Sequence, residues 1–372
     1  MITFLLVFVT VYTTMHAVFL YRVHSLFEGR KVLWAVLVIF SMAMILAPMV
    51  CRLLERTGWE TQARLVAHVG YPWMGFLFLV FWLSLFVGVV NGFLWFLHRF
   101  GYTGVAQMPD KPAAWFVLIV GGILSIYSTL EAQNIRLERV RLETEKLPAH
   151  VPRLLLAQIS DVHLGLNGAY ARAERIVQLL RNIRPDLIIS TGDFVDGTPH
   201  SLDPLLPLFQ ELRPPLGKVA IVGNHEYYVG LQESMEWTRR AGFLLLRDNA
   251  TTLGGALNVV GVDDTWRDRP ETESSLLKSA SNGLFTLYLK HRPQVSKATL
   301  GLFDLQLSGH THRGQIFPFS LFVALMYPFF NGTYELGEGS VLHTNRGTGT
   351  WGPPMRLLAA PEITLVELVR KP

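Results

Sequence analysis

The chain has 372 residues, a formal net charge of +4, 50% hydrophobic residues and only 17% charged ones. A mean hydropathy of +0.30 is too high for an ordinary soluble protein of this size. The charge is small and no Lys/Arg block carries interleaved aromatics, which argues against a nucleic-acid partner. A single cysteine, Cys51, excludes an intrachain disulfide and fits a reducing compartment.

The apolar excess lies at the N-terminus. Four segments, Ile2–Tyr21, Val32–Leu53, Trp73–Leu97 and Ala113–Leu130, reach the ~18–20 apolar residues needed for a bilayer-crossing helix. The first has no basic residue ahead of its apolar run and no suitably placed small-residue cleavage site, so an uncleaved span is expected. Residues 1–132 therefore read as a four-helix transmembrane region. An even number of spans puts the N-terminus and everything after the fourth span on one face. Arg52, Arg56, Arg64, Arg136, Arg139, Arg141 and Lys146 flank the spans there; Arg22, Arg30, Lys31, Arg99 and Lys111 flank them on the other face. The basic excess assigns the C-terminal domain to the cytoplasm.

Glu131–Lys146 is rich in Glu and Arg, with Leu137, Val140 and Leu142 between them. It reads as a charged helical linker over residues 133–150, extending the fourth span. Leu147-Pro148 and Val151-Pro152 break that pattern and open a domain over 151–372. There, strand-like runs alternate with helical ones such as Tyr170–Ile183 and Gln232–Ala241, the pattern of an α/β fold. Later runs, Thr252–Val262, Ser340–Asn345 and Ile363–Val369, are shorter and turn-rich, and suggest a second, more antiparallel sheet facing the first. Ile316–Phe330 is almost wholly apolar, yet too short and too interrupted by proline to span. It reads either as a buried core helix or as a hydrophobic flap lying on the membrane.

Five apolar runs in this domain end in residues that bind metals. They are RLLLAQIS before Asp161-Val162-His163, DLIISTG before Asp193, KVAIVG before Asn224-His225, LFTLYLK before His291, and FDLQLSG before His310-Thr311-His312. Each has the length and Val/Ile/Leu content of a strand buried on both faces. Ligands collect at the carboxyl ends of strands in α/β sheets. Imidazole and carboxylate donors without cysteine favour Mn, Fe or Zn. Two such ions about 3.5–4 Å apart can clamp the attacking and leaving oxygens of a phosphoryl transfer and activate a hydroxide for attack. A carboxylate can bridge them.

The series Asp161-x-His163, Gly192-Asp193-x-x-Asp196, Gly223-Asn224-His225-Glu226, His291 and Gly309-His310-x-His312 resembles the signature of the calcineurin-like metallophosphoesterases. The ending Asn345-Arg346-Gly347-Thr348-Gly349, Pro353-Pro354-Met355-Arg356 and Pro361-Glu362-Ile363 is similar to the membrane-linked bacterial branch of that superfamily. That branch includes transmembrane metallophosphoesterases and enzymes that cleave the pyrophosphate of UDP-diacylglucosamine in lipid A synthesis. The resemblance implies two facing mixed sheets flanked by helices, an αββα sandwich. It implies that one divalent ion takes Asp161, His163, the bridging Asp193 and His312, and the other takes Asp193, Asn224, His291 and His310. Manganese is the expected metal, with iron or zinc as alternatives. His225 then faces substrate rather than metal, and His225 and Asp161 are the expected catalytic residues. Asp196 and Glu226 are expected to fix loops by hydrogen bonding. Arg313 and Arg346 are candidate phosphate contacts.

The expectation is a multi-pass protein of a bacterial inner membrane that hydrolyses a phosphodiester or pyrophosphate. Its partners would be the bilayer and a phospholipid or sugar-nucleotide lipid substrate. Two alternatives stand beside it: a phosphodiesterase of soluble nucleotides with the spans as a mere anchor, and a non-catalytic metal-binding membrane sensor. Few charged residues lie in the spans, which counts against an ion path.

Overall fold

The computed structural model describes residues 2–166, 168–265 and 269–371. It divides into two compact units, residues 1–130 with 352–355, and residues 131–351 with 356–372.

The first unit is built on α1 (Ile2–Val23), α2 (Lys31–Arg56), α3 (Glu60–Arg99) and α4 (Asp110–Glu131). All four are long and apolar enough to cross a membrane. The third is longer than its expected apolar segment, with 40 residues and Pro72 inside it. At 1.5 Å per residue it extends about 60 Å, roughly twice the hydrocarbon thickness of a bilayer. The segment before Pro72 is rich in helix formers, and one proline removes a single backbone hydrogen bond, so the helix runs through. Tyr12, Phe19, Leu77, Val80 and Val117 form the core of the unit.

The second unit runs β1 (Arg136–Thr144), β2 (Arg153–Ile159), α5 (Ala169–Ile183), β3 (Leu187–Thr191), α6 (Leu206–Gln210), β4 (Lys218–Ile221), α7 (Asn224–Val229) and α8 (Leu231–Arg240). It continues with β5 (Leu244–Leu245), β6 (Asn249–Leu253), β7 (Leu257–Gly261), α9 (Pro270–Ala280), β8 (Phe285–Leu289) and β9 (Leu305–Ser308). It ends with α10 (Phe319–Met326), β10 (Gly332–Gly337), β11 (Ser340–Thr344) and β12 (Glu362–Arg370). Two six-stranded sheets result, ordered β1-β12-β2-β3-β4-β5 and β10-β11-β9-β8-β7-β6.

Side chains two apart on each central strand share a face, and both faces are apolar. Leu154, Leu156, Leu187, Ile189, Val219 and Ile221 meet Leu257, Val259, Leu287, Leu289, Leu305 and Leu307 in one core between the sheets. The opposite face of the first sheet, with Ala157, Ile159, Ile188 and Ala220, packs against side chains of α5, α6 and α8. Val260 and Tyr288 on the second sheet pack against Leu277 of α9. This is the expected αββα sandwich.

Two expectations fail. The charged segment after the fourth span is not a helix: residues 136–144 form β1, parallel to β12 at the sheet edge. Val140 is buried and Leu142 half-buried against the inter-sheet core, a period of two that charged neighbours mask. Such a charged edge also discourages pairing with other chains. The second sheet is the more antiparallel of the two, as expected, with the pairs β10·β11 and β6·β7 against the single β12·β2 pair of the first, but one run expected in it lies elsewhere. Ile363–Val369 lies within β12, which joins the first sheet antiparallel to β2. Of the two readings of the apolar segment after His312, exposure excludes the core helix. α10 leaves Leu325 85% and Met326 72% exposed, and buries only Val323.

Candidate metal centre

The five apolar runs are β2, β3 and β4, parallel to one another in the first sheet, and β8 and β9, parallel to each other in the second. Their carboxyl ends therefore point the same way, and the side chains that follow them converge. Asp161, His163 and His312 bring ligand atoms within 4.8 Å of one another, as do Asp193, His291 and His310. His163, Asp193 and His225 form a third such set between these two.

Backbone conformation at the rim is unusual. Asp161 (φ 51°), His163 (φ 48°), Asp193 (φ 52°), His310 (φ 70°) and His312 (φ 49°) all sit in the left-handed region. Non-glycine residues adopt it rarely, at a cost of order 1–3 kcal/mol each when strained, and such residues cluster at functional sites. Two glycines make room. A Cβ on Gly223 would collide with Asp193 Oδ1, and one on Gly309 with Ser160 Oγ and Asp161 Oδ2.

Around Asp161, His312 Nε2 lies 3.4 Å from Oδ1 and 3.0 Å from His163 Nε2. Ser160 Oγ donates to Asp161 Oδ2, and His310 N reaches both carboxylate oxygens at 3.0 Å. In the other set, His291 Nδ1 donates to Thr191 O at 2.8 Å, so its Nε2 faces the cluster as a lone pair. Asn224 Oδ1 and Asp193 Oδ2 each stand 3.3 Å from that nitrogen. Three acceptors turned on one another repel unless positive charge lies among them. Burial alone would lower the His291 imidazole, but the Asp193 carboxylate overrides it and holds the group up at about 10. A proton or a metal cation satisfies the same demand, so the donors fit a divalent ion. Burial would raise the Asp193 carboxyl, yet the His291, His225 and His163 rings hold it well below the ordinary carboxylate range. Burial pushes His310 and His312 well below the usual imidazole value, which keeps them neutral as ligands must be.

The supporting residues divide by role. Glu226 accepts from the backbone N–H groups of Asp193, Phe194, Val195 and Gly223, so it ties the β3 and β4 loops together. Asp196 Oδ1 lies 2.7 Å from His225 Nδ1, and its Oδ2 lies 3.5 Å from His163 Nδ1. Burial would lower the His225 ring, but Asp196 and Asp193 lift it to about 9. That ring lies edge-on to Tyr228 and Trp351, with centroids 5.3 and 5.5 Å away. The two candidate phosphate contacts separate. Arg346 is bound to Glu138 and Glu362, so its guanidinium is engaged in holding β1 and β12. Arg313 follows His312 in the left-handed region and has no carboxylate partner among the described residues.

Other residues at the centre carry no metal-ligand signature. The fully buried Arg356 donates to the carbonyls of Arg346, Gly347, Gly349, His312 and Ala359, and toward His312 Nδ1 at 3.1 Å. Arg172 donates to the carbonyls of Val162 and His163. Tyr327 places its hydroxyl 3.0 Å from His310 Nε2. It can accept that ring's proton, which leaves Nδ1, 3.3 Å from His291 Nε2, facing the cluster.

Residues 154–314 match the model of the calcineurin-like phosphoesterases. An uncharacterised metallophosphoesterase of Aquifex aeolicus is 37% identical over 260 residues, which cover 68% of this chain and 99% of that protein. The chain belongs to the calcineurin-like metallophosphoesterases. An uncharacterised metallophosphoesterase of Bacillus subtilis is 31% identical over 267 residues, 68% of this chain and 91% of the relative. A transmembrane protein with metallophosphoesterase domain from Danio rerio is 28% identical over 355 residues, 90% of this chain and 80% of its own length. That coverage reaches into the long apolar helices, so this metallophosphoesterase is a membrane protein with the His/Asp clusters of a dimetal site.

Proposed function

We propose that this metallophosphoesterase hydrolyses a phosphodiester or pyrophosphate bond in a lipid-linked substrate of the UDP-diacylglucosamine type. The observation that carries the proposal is the meeting, at one rim, of two His/Asp sets in a chain with four helices able to cross a membrane. Asp161, His163, His312 and Asp193 would hold one divalent ion, and Asp193, Asn224, His291 and His310 the other, with manganese the first candidate. Two such ions, when bound, supply an activated water and neutralise charge on the phosphoryl oxygens.

The chain's own residues do the rest. Asp196 holds the His225 Nδ1 proton, which leaves Nε2 to give a proton to the departing oxygen or to hydrogen-bond a phosphoryl oxygen. Trp351 and Tyr228 brace that ring. Glu226 fixes the loop that carries Asp193, and Arg356 fixes the plane of His312. In this reading the centre lies on the cytoplasmic face of a bacterial inner membrane, and the basic excess flanking the spans supports the cytoplasmic side. There the enzyme meets lipid headgroups without leaving the surface.

The test is release of UMP from UDP-diacylglucosamine by the purified full chain with manganese. Cleavage of soluble phosphodiesters alone would favour an enzyme merely anchored by its helices. Metal binding without any turnover would favour a sensor.

A further inference from the structure

No Asp, Glu, Lys or Arg occurs between Arg313 and Glu335. Within that stretch α10 turns Phe319 (49%), Leu321 (58%), Phe322 (44%), Leu325 (85%) and Met326 (72%) outward. A run this apolar normally lies in a core, and one this exposed marks a surface with a partner. Its eight residues extend about 12 Å, less than half the bilayer's hydrocarbon thickness, so the helix is too short to cross.

The chain itself indicates what covers it. Four helices of the same polypeptide are long and apolar enough to cross a membrane. The last ends at Glu131 and β1 opens at Arg136. So short a connection reaches at most about 18 Å when fully extended, so the chain enters the phosphoesterase unit within that distance of a helix able to cross a membrane. Interfacial helices bury their apolar side chains about 5–10 Å into the headgroup boundary, and α10 has that composition.

The same segment is bonded to the metal centre. Tyr327, the residue after α10, contacts His310 through its hydroxyl, and Thr311 Oγ1 donates to Phe330 O at 2.7 Å. We propose that α10 is a membrane-seated helix that lays the mouth of the metal centre on the lipid headgroup layer. The inference does not depend on which phosphoester is cleaved.

The full chain, with Cys51→Ser to remove its one native thiol, is reconstituted in phosphatidylcholine–phosphatidylglycerol vesicles. A bimane is attached through Leu325→Cys and, separately, through Ser279→Cys on the exposed polar surface of α9. Nitroxide-labelled phospholipid should quench the probe at 325 at least about threefold more than the probe at 279, and aqueous iodide should do the reverse. Leu321→Cys gives an independent report should the first variant fold poorly. Equal iodide quenching at both sites, with no effect of the lipid-borne quencher, overturns the proposal. Shielding of the 325 probe from both quenchers means that a second protein surface covers α10, and overturns it equally.

Discussion

Exchanging Glu226 for Gln alters one atom and should loosen the dimetal centre without touching an expected ligand. Oε1 accepts from Phe194 N at 2.7 Å and Val195 N at 3.0 Å; Oε2 accepts from Gly223 N at 2.7 Å and Asp193 N at 3.1 Å. Whichever way the new amide turns, its NH2 faces two backbone donors, and two buried N–H groups lose their acceptor. Each unsatisfied buried donor costs about 1–3 kcal/mol, so the exchange should cost about 2–6 kcal/mol. Residue 226 is only 2% exposed, so solvent can repair little of this. Against a typical domain stability of about 5–15 kcal/mol, the loss is large. The four N–H groups belong to the loops that carry Asp193 and Asn224, so cation affinity should also fall about 10–100-fold. Burial pushes the Glu226 carboxyl up to about 7, and the comparison is therefore made above that pH, where the parent side chain is ionised. Urea denaturation of both full chains in micelles, together with manganese titration of chelator-stripped protein, reads the two effects. Stability changed by less than about 0.5 kcal/mol with unaltered affinity would refute the reasoning.

Other substitutions probe the remaining roles. His225→Ala should lower turnover about 10²–10⁴-fold with metal content by mass spectrometry unchanged; undiminished turnover would remove this ring from the chemistry. Asp193→Asn should reduce bound metal by at least one ion per chain, because its Oδ2 lies 3.3 Å from His291 Nε2 and 3.9 Å from His163 Nε2. Full metal loading of that variant would rule out a bridge. Arg346→Ala should leave KM for a soluble phosphodiester within about twofold while costing about 3 kcal/mol, since it removes the cation paired with Oε2 of the buried Glu362 and leaves only Thr364 and His343 at Oε1. A raised KM with intact stability would return Arg346 to the substrate.

Hydrophobic pattern and strand-end chemistry made the centre legible before any coordinates. Asp161, His163, Asp193, Asn224, His291, His310 and His312 each follow a buried strand, and two parallel sets of strands bring them together. Even the isolated His291 joins the cluster, placed by the Thr191 carbonyl behind it. What escaped depends on contacts that leave no local pattern. β1 hides a two-residue apolar alternation among Glu and Arg, and its pairing with β12 joins segments at opposite ends of the domain. Arg356 and Tyr327 matter for hydrogen bonds to distant atoms, and a lone Arg or Tyr in a sequence looks like any other. Arg346 is the complementary case: its positive charge is visible in the sequence, but its partners Glu138 and Glu362 are not. The apolar run after His312 allowed either a core helix or a surface flap, and only exposure of Leu325 and Met326 decides between them.

Anomalous diffraction from crystals of the full chain grown with manganese tests the central claim most directly. The account predicts two peaks about 3.5–4 Å apart, one among Asp161, His163 and His312, the other among Asn224, His291 and His310, with Asp193 between them. A single peak, or manganese bound away from these side chains in a hydrolytically active protein, would contradict it.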